Sequence, residues 1–113
     1  MLTEGGAYVV ANALKDAIAE MQLELNDGTI LTQSATTSDI NTSYDDNTQY
    51  FDVSATFDFT DYQDKSLVTY KLNNALGNTL IQTSVNVSLS GKTTEEVIVR
   101  VKVAFTGGGF GGA

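Results

Sequence analysis

The chain has 113 residues, which is the typical size of one domain and leaves too little sequence for a second hydrophobic core. It contains no histidine and no cysteine, so it lacks the commonest zinc ligands and the residues of Ser-His-Asp and Cys-His catalysis. Six basic residues against fourteen acidic ones give a net charge of -8, which repels nucleic-acid phosphates and anionic lipids. We therefore expect a non-enzymatic protein without a cofactor, which binds neither nucleic acid nor membrane.

The first element is predicted to be an amphipathic helix, because its apolar residues recur at the spacing of three and four that defines one helix face. These residues are Ala7, Val10, Ala11, Leu14, Ala17, Ile18 and Met21. Thr3 is a candidate N-cap. Gly5 and Gly6 are unfavourable inside a helix, so they indicate either close backbone packing or a later helix start.

From Met21 the apolar period changes to two, which is the spacing of a β-strand. The sequence Asn26-Asp27-Gly28 is typical of a tight turn, so a β-hairpin is predicted to follow the helix.

Four later segments, residues 51–59, 67–72, 79–89 and 95–105, continue the strand pattern. The last is the clearest, with five apolar residues on one face: Val97, Val99, Val101, Val103 and Phe105. The predicted fold is mainly β (α+β), with an N-terminal helix packed on an antiparallel β-sandwich or sheet. Residues 1–106 are predicted to form a single domain, and 107–113 a flexible glycine-rich tail.

Residues 33–49 are rich in Ser, Thr, Asn and Asp and poor in large apolar residues, which is typical of a long loop. Loops beyond about 12 to 15 residues without structure are uncommon unless they serve binding, so this segment is a predicted contact region. The candidate interface residues are Tyr44, Tyr50, Tyr62 and, in the tail, Phe110.

Asp58, Asp61 and Asp64 recur at every third residue, and residues 45–47 form an Asp-Asp-Asn cluster, so a cation such as calcium is chemically conceivable. The spacing is not that of an EF-hand, and Asp and Asn are ordinary turn residues. A catalytic carboxylate pair would also need a fixed separation and a raised pKa. We therefore predict solvated loop carboxylates, with no metal site and no catalytic residue.

Five segments, taken in chain order, carry a resemblance to a known family. They are Met1-Leu2-Thr3 with Gly6 and the helix, Phe57-Asp58-Phe59-Thr60-Asp61, Tyr70-Lys71-Leu72-Asn73-Asn74, Gly77-Asn78-Thr79-Leu80-Ile81, and residues 94–105. In this order they resemble short bacteriophage virion structural proteins of the tail-fibre or tail-associated type. The chain departs from that group in its first turn, which lacks proline, and in its glycine tail.

The resemblance implies a non-enzymatic building block of a phage particle, acting as a tail-fibre, baseplate or neck adaptor subunit. It implies that the partners are other virion proteins and copies of the chain itself, with a trimer as the first guess. The location implied is the virion, assembled in the host cytoplasm. Two alternatives stay open: a capsid decoration or cement protein, and a carbohydrate-binding receptor module that uses Tyr44, Tyr50, Tyr62 and loop carboxylates.

Overall fold

The computed structural model describes residues 1–106, in which one α-helix and one short 3-10 helix accompany eight β-strands. The elements are α1 (Glu4–Ala17), β1 (Ile18–Leu25), β2 (Ile30–Ser34), β3 (Thr36–Thr37), β4 (Asn41–Ser43), β5 (Thr48–Asp58), the 3-10 helix (Thr60–Tyr62), β6 (Ser66–Asn74), β7 (Thr79–Ser88) and β8 (Thr94–Ala104). The strands form two antiparallel sheets, which confirms the predicted fold class of an N-terminal helix on antiparallel β-structure.

The described residues group into two compact units. The first contains residues 1–16, 37–53 and 99–106, and the second contains residues 17–36 and 54–98. The first unit therefore holds nearly all of α1, together with β4, the first half of β5 and the second half of β8.

The second unit is built around a four-stranded sheet with the strand order β2-β1-β6-β7. The predicted hairpin is confirmed, since β1 pairs with β2 from Glu20 opposite Ser34 to Glu24 opposite Ile30. Gly28 closes its turn at a φ of 88°, which an L side chain rarely adopts, and its N–H donates to the Leu25 carbonyl at 2.9 Å.

The period-two pattern of this sheet is interrupted in β6. The sequence predicts that Val68, Tyr70 and Leu72 share the buried face, whereas the structure buries Leu67 and Leu72 and leaves Val68 half-buried. The register shifts on both sides of β6 near Thr69, so a β-bulge changes which side chains face the core.

β5 is the central strand of the second sheet and pairs with β3, β4 and β8. All five apolar residues predicted to face a core in and just after this strand are buried: Phe51, Val53, Ala55, Phe57 and Phe59. In the closing segment Val99, Val101 and Phe105 are buried, but Val97 and Val103 are only half-buried. The predicted side of this segment does face the core, but only three of its five apolar residues are buried.

The start of α1 matches its predicted cap, because the Thr3 hydroxyl accepts a hydrogen bond from the Gly6 N–H at 3.0 Å. The interpretation of the glycines was wrong at Gly5. The helix begins at Glu4, and a Cβ added at Gly5 would have no neighbour within 4 Å among the described residues, so neither a late start nor close packing explains it.

The predicted buried stripe of α1 was also wrong beyond two residues. Only Ala7 and Ala11 are buried within the helix, while Val10 and Ala17 are exposed and Leu14 is half-buried. The helix ends at Ala17, so the remaining members of the stripe are buried as residues of β1. Ile18 and Met21 fit the helical spacing of the preceding residues, although they belong to a strand. The single predicted stripe therefore combines part of a helix face with part of a strand face.

The long loop predicted over residues 33–49 is replaced by the end of β2, by β3 and β4, and by the start of β5. β4 pairs with β5 from Asn41 opposite Tyr50 to Ser43 opposite Thr48. Backbone pairing orders a polar segment that has little apolar surface of its own. The prediction of a long loop without regular structure was therefore wrong, while the role of this segment as a contact region stays a prediction.

Candidate functional site

The first ten residues expose an unusual amount of apolar surface. The exposed large hydrophobic side chains in this stretch are Met1, Leu2, Tyr8, Val9 and Val10. Val9 exposes 67% of its surface and Tyr8 49%. Single exposed hydrophobic residues are ordinary, but several together indicate a binding surface.

Tyr8, Val9 and Val10 belong to α1, in which residues 5–14 carry no charge. Gly5, Val9 and Ala13 follow one another at a spacing of four, which places them on one side of the helix, and all three are exposed. The first exposed charge on this side is Asp16, seven residues after Val9. We call these three residues, together with the flanking Tyr8, the outer face of α1. A helix side that faces water normally carries charged or polar residues, so the outer face is the candidate interaction surface of the first unit.

The sequence itself indicates this surface, although the prediction of one buried stripe on the helix did not use that information. Residues 5–14 include no charged residue, so the helix is apolar on more than the side that packs on its own sheet. A helix that is apolar all round is normally covered on all sides.

Side chains around Glu4 hold the start of the helix in place. The Tyr44 hydroxyl donates to Glu4 Oε2 at 2.9 Å, and Gln49 Nε2 donates to the Glu4 carbonyl at 3.3 Å. The hydrogen bond to Glu4, with the carboxylate's charge, raises the pKa of Tyr44. The Tyr44 ring also packs edge-on against Phe105, with 6.4 Å between ring centroids. Tyr44, predicted as an interface residue, therefore anchors the helix.

Tyr50 is engaged in a similar way. The Arg100 guanidinium carbon lies 4.3 Å from the centre of the Tyr50 ring, and Arg100 donates to both carboxylate oxygens of Asp52 at 2.9 and 3.2 Å. These hydrogen bonds from Arg100 lower the pKa of Asp52. The cluster ties β8 to β5 through side chains, and one side of the Tyr50 ring is taken by the guanidinium.

Tyr62 belongs to the second unit, at the end of the 3-10 helix, where it is half-buried. Among the predicted interface residues, the structure thus brings Tyr44 and Tyr50 into the first unit and Tyr62 into the second. Phe110 and the predicted tail lie outside the described residues.

The acidic residues are engaged by their own turns. The Asp58 carboxylate accepts hydrogen bonds from the Thr60 N–H and hydroxyl at 2.9 and 2.6 Å, which lower its pKa. Asp64 forms an ion pair with Lys65 at 3.5 Å. Within residues 1–106, no three acidic side chains converge as metal ligands.

The second unit contains a small apolar groove of about 230 Å³. Its apolar lining is formed by Phe59, Leu67, Val87, Leu89 and Val97, and its charged residues are Lys92, Glu95 and Glu96. Ligand pockets usually measure about 300 to 1,000 Å³, so this groove suits one side chain better than a small molecule.

No family model, no curated protein and no solved structure matches the chain. Within residues 1–106, no helix combines the length and the apolar character needed to cross a membrane.

Proposed function

We propose that this chain is a non-enzymatic structural subunit of a bacteriophage particle, acting as a tail-fibre, baseplate or neck adaptor. The observation that carries the proposal is the apolar outer face of α1, where Val9 and Tyr8 are exposed on a helix whose start is hydrogen-bonded to its own unit. A subunit that works by contact needs such a surface. The proposal that the assembly is a phage particle comes from the sequence segments that, in their order, resemble phage virion proteins.

The physical support is the cost of leaving this face in water. Burying a side chain such as valine stabilises a complex by about 1.5 to 3 kcal/mol relative to leaving it exposed. Val9, Tyr8 and the small residues beside them therefore favour a covered state, and the partner is either another copy of the chain or another particle protein.

A capsid decoration protein would use the same surface on a different part of the particle. The receptor alternative depends on several open aromatic rings. Tyr50 is covered on one side by Arg100, and Tyr44, although 63% exposed, has its hydroxyl bonded to Glu4 and its ring edge-on against Phe105. We therefore place the structural role first.

The test is light scattering of the purified chain together with co-sedimentation on particles that lack it. Wild type is expected to self-associate and to sediment with particles, and Val9→Glu is expected to lose at least one of these properties. Gln33→Glu adds the same charge at an exposed site on β2 of the second unit and serves as the matched control.

A chain that stays monomeric and sediments with no particle fraction would overturn the proposal in favour of a free binding module. A glycan array then becomes the next measurement. Scattering of a chain that ends at Thr106 reports separately on the predicted role of the tail.

A further inference from the structure

The outer edge of β7 has no strand beside it within residues 1–106. β7 is ten residues long, pairs with β6 on one side, and ends the strand order β2-β1-β6-β7. A free edge presents a row of backbone N–H and C=O groups, which is a template for adding another strand.

The other long or terminal strands are protected by shortness or charge, which β7 lacks. The irregularity of β7 is confined to two register shifts in its pairing with β6, between Thr79 and Ile81 and between Ser84 and Val87. β2, at the opposite end of the same sheet, has only five residues, and short edge strands recruit partners poorly. β8 is long but carries four charged residues, namely Glu95, Glu96, Arg100 and Lys102. β7 has no charged residue, and the chain has no proline. Charge and proline are two of the usual devices that block edge pairing.

We propose that the free edge of β7 pairs in antiparallel fashion with the β7 edge of a second copy, which joins two four-stranded sheets into one of eight strands. This inference rests on the proposed function, because a subunit present in several copies needs a contact between copies. The inference goes further by naming the edge of β7 as the surface through which the copies touch each other.

The sequence of β7 is complementary to itself in this arrangement. Along the strand Ile81, Thr83 and Val85 are half-buried, whereas the residues between them are exposed. A two-fold axis at Ser84 keeps the two faces matched, because it places residues of the same parity opposite each other. Opposite pairs are then Ile81 with Val87, Thr83 with Val85, Gln82 with Asn86, and Leu80 with Ser88.

These pairs place apolar or β-branched residues together on the face of Ile81, Thr83 and Val85, where Val87 is exposed, and an amide beside an amide on the other face. Such cross-strand pairs stabilise sheets.

The charge of the protein also favours this edge over other surfaces. The chain carries a net charge of -8, so two copies repel each other through most of their surface. Residues 72–91 contain no acidic and no basic residue, which leaves the β7 side of the second unit free of that repulsion.

A cysteine cross-link tests the pairing directly, because the chain has no cysteine of its own. Residues opposite each other in antiparallel strands have Cα atoms about 4.5 to 5.5 Å apart, which lies within the range of a disulfide. Ser84→Cys is expected to give a disulfide-linked dimer under mild oxidation. Thr32→Cys, an exposed position on β2, is the matched control and is expected to stay largely unlinked.

A charge substitution tests the same contact in equilibrium. Ser84→Lys places two ammonium groups side by side at the axis and should weaken the dimer by more than about tenfold, while Thr32→Lys should not. Circular dichroism melts that match wild type show that the variants fold.

The outcomes separate this inference from the proposed function. If wild type and Ser84→Lys associate equally and Ser84→Cys does not cross-link, β7 pairing is overturned while the structural role stands. If Ser84→Cys cross-links and Ser84→Lys associates more than about tenfold more weakly than wild type, β7 pairing is supported, even when no form of the chain sediments with particles and the phage role fails.

Discussion

Asn73 offers the sharpest test of how the second unit is held together, because its polar groups are only partly paired. The side chain exposes 2% of its surface, and its Nδ2 donates to Glu20 Oε2 at 2.9 Å across β6 and β1. Its Oδ1 is buried with no hydrogen-bond partner within residues 1–106. We predict that Asn73→Asp destabilises the protein strongly at neutral pH and only mildly in acid.

The magnitude follows from the 2.9 Å contact. The substitution replaces an N–H donor with a carboxylate beside the Glu20 carboxylate, so two negative charges meet in a poorly hydrated site. Burial and a neighbouring like charge together raise a carboxyl pKa by about 2 to 3 units, and each unit corresponds to about 1.4 kcal/mol. The expected loss is therefore about 3 to 4 kcal/mol, a large part of a total stability of about 5 to 15 kcal/mol.

The direction of the pH dependence follows from the same pKa. The introduced carboxyl has a higher pKa in the folded state than in the unfolded state, so the folded state favours its protonated form. Below the unfolded pKa of about 3.9 both states are protonated and the penalty is absent. The penalty grows as the pH rises from the unfolded pKa to the raised folded pKa, and it is complete above the folded pKa.

Urea unfolding, followed by circular dichroism from pH 5 to pH 8, measures this difference. Asn73→Leu is the control: it removes the unpaired Oδ1 and leaves the half-buried Glu20 to water, so it should cost about 1 kcal/mol or less and show no added pH slope. If Asn73→Asp follows the wild-type curve in parallel across this range, the hydrogen bond to Glu20 is not present in solution.

Three further predictions concern the first unit. Val101→Asp should prevent folding because it buries an unpaired charge, whereas the exposed Lys102→Asp should cost about 1 kcal/mol or less in a thermal melt. Gly5→Ala should raise the free energy of unfolding by roughly 0.5 kcal/mol because its Cβ meets open space, but Gly6→Ala should gain less because its Cβ lies 3.3 Å from the capping hydroxyl. Arg100→Met should lower stability by about 1 kcal/mol or less at pH 7. This difference should shrink as the pH falls below the unfolded pKa of about 3.9 and disappear below the lowered pKa that Asp52 has in the folded protein, because the ion pair is then lost in wild type as well.

The long strands were predictable because the alternation of apolar and polar residues along each of them shows which side is buried. In β5 every second residue from Phe51 to Phe59 is a buried apolar side chain, so the period alone identifies the face. The turn at Gly28 was predictable for a similar local reason, since it needs a φ that glycine adopts readily.

The predictions that failed concern features that are set by residues distant in sequence. β3 and β4 have too few apolar residues to show a period, and they exist because β5 offers backbone groups to pair with. The burial of Leu67 in place of Val68 depends on a bulge set by both neighbouring strands. The role of Tyr44 as an anchor depends on Glu4, which is forty residues away in sequence.

The outer face of α1 and the edge of β7 lie in different units and share no residue, so they should act independently. Val9→Glu should leave β7-paired dimers, and Ser84→Lys should leave the association that the helix supports. The double variant should be monomeric, because interaction energies at sites without shared partners add. Sedimentation velocity of the four proteins measures this. If either single substitution abolishes all association, the two surfaces form one interface and their assignment to separate contacts is wrong.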